Sequence, residues 1–263
     1  MTLATQIDTG FDGHIHTSLC QHATGQMEDY VQAAIDKKLH TICFLEHMET
    51  GISYQPRSWL TTEDFRYYFS EGNRLRERYK DKINILLGVE AGINPAMPKE
   101  VYSRIAKLPV DRIGLSRHFF QIGNEHYNLL SRKKRGLSQL LAFGRNIVLD
   151  DYFTSILEVL HDIHIDVVCH LDAALRHVPD ITLTTYHYSL IEQILDVMSQ
   201  KDIALEVNTS GFTLRNNPFP NRDILQMAQK KHIRLQAGSD AHSPEQVGRD
   251  FNSLLQYLKS IGT

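Results

Sequence analysis

Gly10-Phe11-Asp12-Gly13-His14-Ile15-His16 is the stretch that decides the fold. Its apolar and polar residues alternate, so it reads as a strand, and a period of two puts His14 and His16 on one face. The acidic and imidazole groups crowd its C-terminal end. Two imidazoles side by side at a strand end form a ready bidentate metal site, because neutral imidazole is a nitrogen donor near neutral pH.

Moving outward, six more short apolar runs predict strands: Thr41 to His47, Ile83 to Gly92, Arg112 to His118, Asp166 to Leu171, Ile203 to Asn208 and Ile233 to Ser239. Segments of helical period separate them, and helices are expected at Met27 to Lys38, Thr62 to Tyr79, Pro98 to Lys107, Tyr152 to His164, Tyr186 to Lys201, Arg222 to Lys231 and Pro244 to Ile261. Thr62 before Glu63 and Asp64, and Ser243 before Pro244 and Glu245, carry the residue types that open helices. Strand and helix in strict alternation imply a parallel sheet. The expectation is an α/β chain, a closed or nearly closed barrel of seven βα units, with a doubly wound open sheet as the alternative. At 263 residues, with no internal repeat and no Gly/Ser/Pro linker, residues 1–263 are read as a single domain.

Composition narrows the function. Hydrophobic residues make up 42% and charged residues 22%, and the formal charge is -3, so no excess of positive charge draws the chain to nucleic acid or anionic lipid. The one basic run, Arg132 to Arg135, reads as a solvated loop, with a lid over an anionic substrate as the minor alternative. Three cysteines, Cys20, Cys43 and Cys169, suit a reducing compartment and a mainly structural role, Cys20 having a minor chance of touching a metal rim. No apolar run has the roughly 18 residues of a membrane span, and the N-terminus lacks the basic start and apolar middle of a secretory leader, so a cytoplasmic protein is expected.

In a βα barrel the strand ends share one cavity. Here they read Glu46-His47, Gly88-Val89-Glu90, Ser116-Arg117-His118, Cys169-His170-Leu171-Asp172, Glu206-Val207-Asn208 and Gly238-Ser239-Asp240-Ala241-His242, with His22 in the loop after the first strand. A lone histidine in such a place is more often a hydrogen-bonded structural residue than a ligand. The joint occurrence argues otherwise, since His40, His126, His161, His164, His177, His187 and His232 fall elsewhere and are read as non-ligands.

These residues, in this order and over nearly the whole chain, resemble the polymerase and histidinol phosphatase (PHP) superfamily, and within it the histidinol-phosphatase branch. The carriers are Asp12 to Thr17, the Cys20-Gln21-His22 triplet, Glu46-His47, Gly88 to Glu90, Ser116 to His118, His170 to Asp172 and Gly238 to His242. The resemblance implies a distorted seven-stranded, TIM-like barrel with two to three divalent ions, zinc, manganese or iron. It implies that His14, His16, Glu90 and Asp240 hold the first ion, that Glu90, His118 and His170 hold the second, and that His22, His47 and His242 hold the third. Glu90, Asp240 and His242 then stand as catalytic positions around a metal-activated water. Closely spaced divalent ions suit phosphate-ester hydrolysis, because they acidify water and clamp phosphoryl oxygens.

The same resemblance implies that Arg176 and Arg215 contact the phosphate of a small phosphorylated substrate, L-histidinol phosphate, in histidine biosynthesis. The alternatives are another small phosphate ester or nucleotide, and, in a different class, a non-catalytic metal-binding regulatory subunit. All nine ligand positions carry the expected residue type, which argues against the last. No membrane or nucleic-acid partner is expected, and the sequence does not give the oligomeric state. Arg117 departs from the family's small apolar residue, and alternation points it away from His118. Met48 to Leu60, with Tyr54, Arg57 and Trp59, reads as a lid over the substrate.

Overall fold

Seven parallel strands do close on themselves. The computed structural model describes residues 7–178 and 180–261. In chain order its strands are β1 (Phe11–Ile15), β2 (Thr41–Met48), β3 (Asn84–Gly92), β4 (Arg112–Ser116), β5 (Phe119–Ile122), β6 (Glu125–Asn128), β7 (Val167–Val168), β8 (Ala204–Asn208) and β9 (Leu235–Gly238). The main sheet runs β1-β2-β3-β4-β7-β8-β9, every neighbouring pair parallel. Beyond its end, Ile15 bridges Ala241 in parallel and the His16 amide donates to the Ala241 carbonyl at 2.9 Å. That contact joins β1 to the chain leaving β9, which makes a nearly closed barrel and removes the open-sheet alternative. The antiparallel hairpin β5-β6 is a short excursion after β4 that the sequence reading did not predict.

The helices are α1 (Met27–Asp36), α2 (Thr62–Tyr79), α3 (Pro98–Ile105), α4 (Lys134–Asp162), α5 (Thr185–Gln200), α6 (Ser210–Arg215), α7 (Arg222–Lys230) and α8 (Phe251–Ile261). Helix α2 begins where expected, but its cap is Thr61. The Thr61 hydroxyl accepts the Asp64 amide and the Asp64 carboxylate accepts the Thr61 amide, a reciprocal box that satisfies two otherwise unpaired donors.

Three expectations need correction. Helix α4 starts 18 residues before the predicted Tyr152, because Gly144, at φ 125 and ψ 113, breaks the helical phase midway and conceals the first half from a periodicity reading. The basic run is also not wholly a loop, since Lys134 and Arg135 open α4; positive charge in a first turn opposes the helix dipole, so local chemistry gave no sign of it. Finally, Pro244 to Ile261 is not one helix. Pro244–Gln246 is a single 3-10 turn, after which the chain leaves the helical path so that the Gly248 amide can donate to Asp12 at 2.7 Å, and α8 begins only at Phe251.

Inside the barrel Cys43, Leu45, Val167, Cys169 and Ala204 form a small apolar plug, while the outward faces of the same strands pack under the helices. All three cysteines are free and buried. The plug separates the Arg112–Gln236 pair at the N-terminal end from the imidazole and carboxylate side chains gathered at the C-terminal mouth. No helix among the described residues is long and apolar enough to cross a membrane. Residues 1–6, the start of the segment read for a leader, lie outside the described residues.

Candidate metal centre

Register brings the strand ends level. His47 on β2 pairs with Glu90 on β3, Gly92 with Ser116 on β4, and Asn208 on β8 with Gly238 on β9. The side chains that end these strands therefore meet at one height above the apolar plug.

Glu90 lies at their centre and is fully buried. Its Oε1 is 2.9 Å from His170 Nε2 and 3.1 Å from His118 Nε2; its Oε2 is 2.6 Å from His47 Nδ1 and 3.7 Å from the Nε2 atoms of both His14 and His16. His14 and His16 hold their Nε2 atoms 2.9 Å apart, and Asp240 Oδ1 stands 3.4 Å from His16 Nε2. At the rim, His22 and His242 bring their Nε2 atoms within 2.9 Å of each other. All nine residues named from the sequence are thus gathered in one place. His170 at φ 26 and Asp240 at φ 51 take left-handed backbone to reach it, a conformation held there by its surroundings.

Burial opposes charge on Glu90, Asp240, His14, His22, His47, His118 and His242, and the neighbours outweigh it on some and not on others. Burial opposes the Glu90 carboxylate, but His118, His47 and His14 hold its pKa well below the usual range. Asp240 is likewise held down against burial by His16, His14 and His242. On His118 burial is outweighed by Glu90 and Glu49, which push its pKa up to about 10. His14 is raised well above the ordinary value, Glu206 and Glu90 overcoming burial. Burial carries His22, His47 and His242 the other way, down to about 4.

The donor chemistry fits metal ions. His22 Nδ1 lies 3.0 Å from the Cys20 carbonyl and His242 Nδ1 lies 2.9 Å from the Asp240 carbonyl. A carbonyl only accepts, so both rings carry their proton on Nδ1 and present two Nε2 lone pairs to each other across 2.9 Å. Two lone pairs so placed repel unless a cation lies with them. Around them Asp12, Glu46, Glu49, Glu90, Glu206 and Asp240 are all buried, a concentration of carboxyl groups whose charged form a bound cation would stabilise. Close donor triads occur as His14/His16/Asp240, His47/Glu90/His118, His16/His47/His242 and Cys20/His22/His242. They hold three of the four residues expected for the first ion, whereas His170, expected for the second, is in none of them. They differ for His47, whose Nδ1 turns to Glu90 and whose ring stacks on His16 at 4.0 Å between centroids, so it belongs to the centre as much as to the rim pair. Burial pushes the Cys20 thiol pKa up, which makes it a poor donor beside the imidazoles.

A cavity of about 350 Å³ opens above the cluster, lined by His22, His47, His118, His170, Asp240 and His242 and roofed by Tyr54, Pro56, Arg57, Arg132, Lys133 and Arg176. Arg176 spends its Nε on the Leu130 carbonyl, which leaves the two Nη groups toward the cavity, one of them 4.0 Å from Asp240. Arg215, expected over the same mouth, is placed elsewhere. Its fork grips Asp172 through two contacts of 3.0 Å, donates to the Pro218 carbonyl and covers the Phe219 ring, on the wall of a neighbouring cavity. Arg57 is held by Asp64 and by the Trp59 carbonyl, so the segment after β2 is pinned to α2 at that point. Arg117 points away from His118, as alternation requires, and is buried against Asp151 and Ser155 of α4.

Sequence reasoning assigned no role to three acids. Glu206 Oε1 is 2.6 Å from His14 Nδ1, Glu49 Oε1 is 2.7 Å from His118 Nδ1, and Glu46 accepts from the amide and hydroxyl of Thr17. Glu46 and Glu206 were visible at strand ends, but Glu49 lay in the segment read as a lid. The basic residues Arg132 and Lys133 and the non-ligand His177 also line the cavity.

The profile of the PHP domain matches residues 12–210, and that of a PHP-associated region matches residues 218–254. Among characterised proteins, the chain is 29% identical to the histidinol-phosphatase of Lactococcus lactis, over 95% of this chain and 91% of that one, and 26% identical to the histidinol-phosphatase of Bacillus subtilis, over 93% and 98%. Among solved structures, the fold is shared with a Listeria monocytogenes protein at a TM-score of 0.82 with 18% identity, covering 92% of this chain and 99% of that one. It is shared also with the Lactococcus lactis histidinol phosphate phosphatase, determined in complex with zinc, L-histidinol and phosphate, at a TM-score of 0.73 with 22% identity, covering 95% and 91%.

Proposed function

Since the chain belongs to the PHP domain family, we propose that it is a metal-dependent phosphomonoester hydrolase acting on L-histidinol phosphate. The observation that carries this reading is the pair of unprotonated Nε2 atoms of His22 and His242 facing each other beside a buried, acid-rich cluster, under a cavity whose roof is cationic.

His14, His16, Glu90 and Asp240, Glu90 with His118 and His170, and His22 with His47 and His242 would hold two to three divalent ions. When bound, such ions supply acidified water and positive charge for the phosphoryl oxygens. The chain's own residues do the rest. Glu90 contributes one carboxylate oxygen to each side of the cluster, which neutralises neighbouring sites with a single side chain. Arg176, with its Nε anchored and neither Nη group hydrogen-bonded, one of them standing 4.0 Å from Asp240, presents a planar fork that matches phosphate, and Arg132, which has no hydrogen-bond or ion-pair partner among the described residues, adds a second cation at the rim. Tyr54 and Pro56 narrow the mouth and limit water around the ester. The whole chain acts as one domain, because residues 218–254 supply β9 and with it Asp240, His242 and the strand that closes on β1.

The test is release of inorganic phosphate from L-histidinol phosphate and from a panel of small phosphate esters and nucleotides, before and after chelation. Metal-dependent turnover with the highest kcat/KM on L-histidinol phosphate is expected. Undiminished turnover by metal-free protein would refute the mechanism, and a higher kcat/KM for another ester would refute the substrate.

A further inference from the structure

The histidines of the cluster differ in what holds their far nitrogen. At the rim, His22 and His242 are tied to neutral carbonyls. In the interior, His14 is tied to the Glu206 carboxylate at 2.6 Å and His118 to the Glu49 carboxylate at 2.7 Å. Glu206 is itself fixed by further hydrogen bonds, whereas Oε2 of Glu49 is buried without a hydrogen-bond partner among the described residues. Glu206 Oε2 accepts the His170 amide at 2.8 Å and the Asn208 side chain at 3.2 Å. Gly238 leaves it room: a Cβ there would stand 2.0 Å from Glu206 Oε1. Glu49 is accommodated in the same way by Gly92, where a Cβ would stand 2.1 Å from its Oε2, and its carbonyl is held by Arg104 at 2.6 Å.

We propose that Glu49 and Glu206 are positioning residues of the metal centre, each fixing the Nδ1-protonated form of its histidine so that Nε2 of His118 and of His14 faces the ions as a donor strengthened by the charge behind it. The inference rests on the metal-centre reading above and goes beyond it, since neither acid is among the nine proposed ligands. Its physical basis is that a carboxylate accepts the Nδ1 proton, sets the ring plane and pushes electron density to the opposite nitrogen, whereas a carbonyl does the first two with less effect on basicity. Glu206 reaches two proposed ligands at once, the ring of His14 and the backbone of His170, which lie on strands far apart in sequence. The centre is thus graded, with His14 and His118 backed by carboxylates inside, His16 and His170 without an Nδ1 hydrogen bond, and His22 and His242 backed by carbonyls at the rim.

The experiment is a titration of metal-free full-length protein with zinc against a competing chelator, for the wild type, Glu49→Gln, Glu206→Gln and Glu49→Asp, with His22→Ala marking the rim ion. Each Glu→Gln variant is expected to weaken an interior equivalent by roughly 10- to 100-fold while keeping the full stoichiometry at saturating zinc. The rim ion should keep its wild-type affinity, and Glu49→Asp should recover part of the loss. Cobalt in place of zinc should show an altered visible spectrum in the Gln variants. Should Glu206→Gln not fold, Glu49→Gln, whose acid lies beyond a strand end, carries the test. Unchanged affinities would overturn the proposal, as would equal weakening of all equivalents, which marks a general structural role, or loss of one equivalent at saturation, which would make the acid a ligand. Wild-type protein that binds no zinc would sink the metal-centre reading itself, a result distinct from wild-type binding with unaffected variants.

Discussion

Replacing Glu90 by glutamine should disable the centre more than any other single change, and the structure sets the scale. The carboxylate faces five imidazole nitrogens between 2.6 and 3.7 Å and is fully buried. Glutamine keeps the shape but removes the charge, and its NH2 half is a hydrogen-bond donor that offers a cation no lone pair, so one of the two ligating positions is lost. Taking away one charged partner in a buried set costs about 3–5 kcal/mol. A unit charge about 4 Å from another, at the effective dielectric of a protein, gives a similar figure of about 4 kcal/mol. At about 1.4 kcal/mol per decade this is roughly two to four orders of magnitude in metal affinity. His22→Ala removes one neutral donor from the solvent edge and should do less. The assay is metal per chain by mass spectrometry after gel filtration, paired with the rate of phosphate release. Glu90→Gln protein with full metal content and wild-type rate would refute the bridging role, above all if His22→Ala lost both.

Three further outcomes follow from the same geometry. Arg176→Ala should lower kcat/KM by roughly ten- to a hundred-and-fifty-fold with metal content unchanged, the loss of a charge-assisted contact of about 1.5–3 kcal/mol; equal loss of bound metal would count against it. Arg215→Ala should act chiefly on stability, because it strips the partner from Asp172, whose pKa burial already raises; a raised acid stabilises the fold below its unfolded pKa and loses that contribution as pH rises, so the melting deficit of the variant should narrow on acidification. A deficit that widened toward acid pH would contradict this. In metal-free protein, His118 and His14 are raised by Glu90, Glu49 and Glu206 against burial; their protonation stabilises the fold below about pH 6.5, a contribution lost as pH rises, for His118 toward about 10. Thermal stability of the metal-free form should therefore fall over that window, and zinc binding near pH 7 should release protons measurable in buffers of different ionisation enthalpy.

Much of the barrel was legible because its signals are local. Each strand of the main sheet announces itself by alternation or by a short β-branched run, and most of the expected ligands stand within or just past one, as with His14 in β1 and Glu90 in β3. The first half of α4 was not legible, since Gly144 interrupts its phase and basic residues occupy its first turn. Nor was the break before α8, where Ser243, Pro244 and Glu245 supply a helix start that the chain abandons to bond Asp12. Local propensity lost there to a long-range hydrogen bond.

The sequence by itself determined that seven βα units exist, that imidazole and carboxylate side chains crowd their strand ends, and that Arg117 must face away from His118, because all of these depend on periods of two and on neighbours in the chain. Tertiary structure alone decided which groups those side chains meet. Glu49 reaches His118 across 69 positions and Glu206 reaches His14 across 192, and no local pattern encodes either contact. The same holds for the two arginines. Arg176 keeps a free fork over the cavity while Arg215 gives its fork to Asp172, 43 residues away, because an ion pair is chosen by proximity in space, after the barrel has closed.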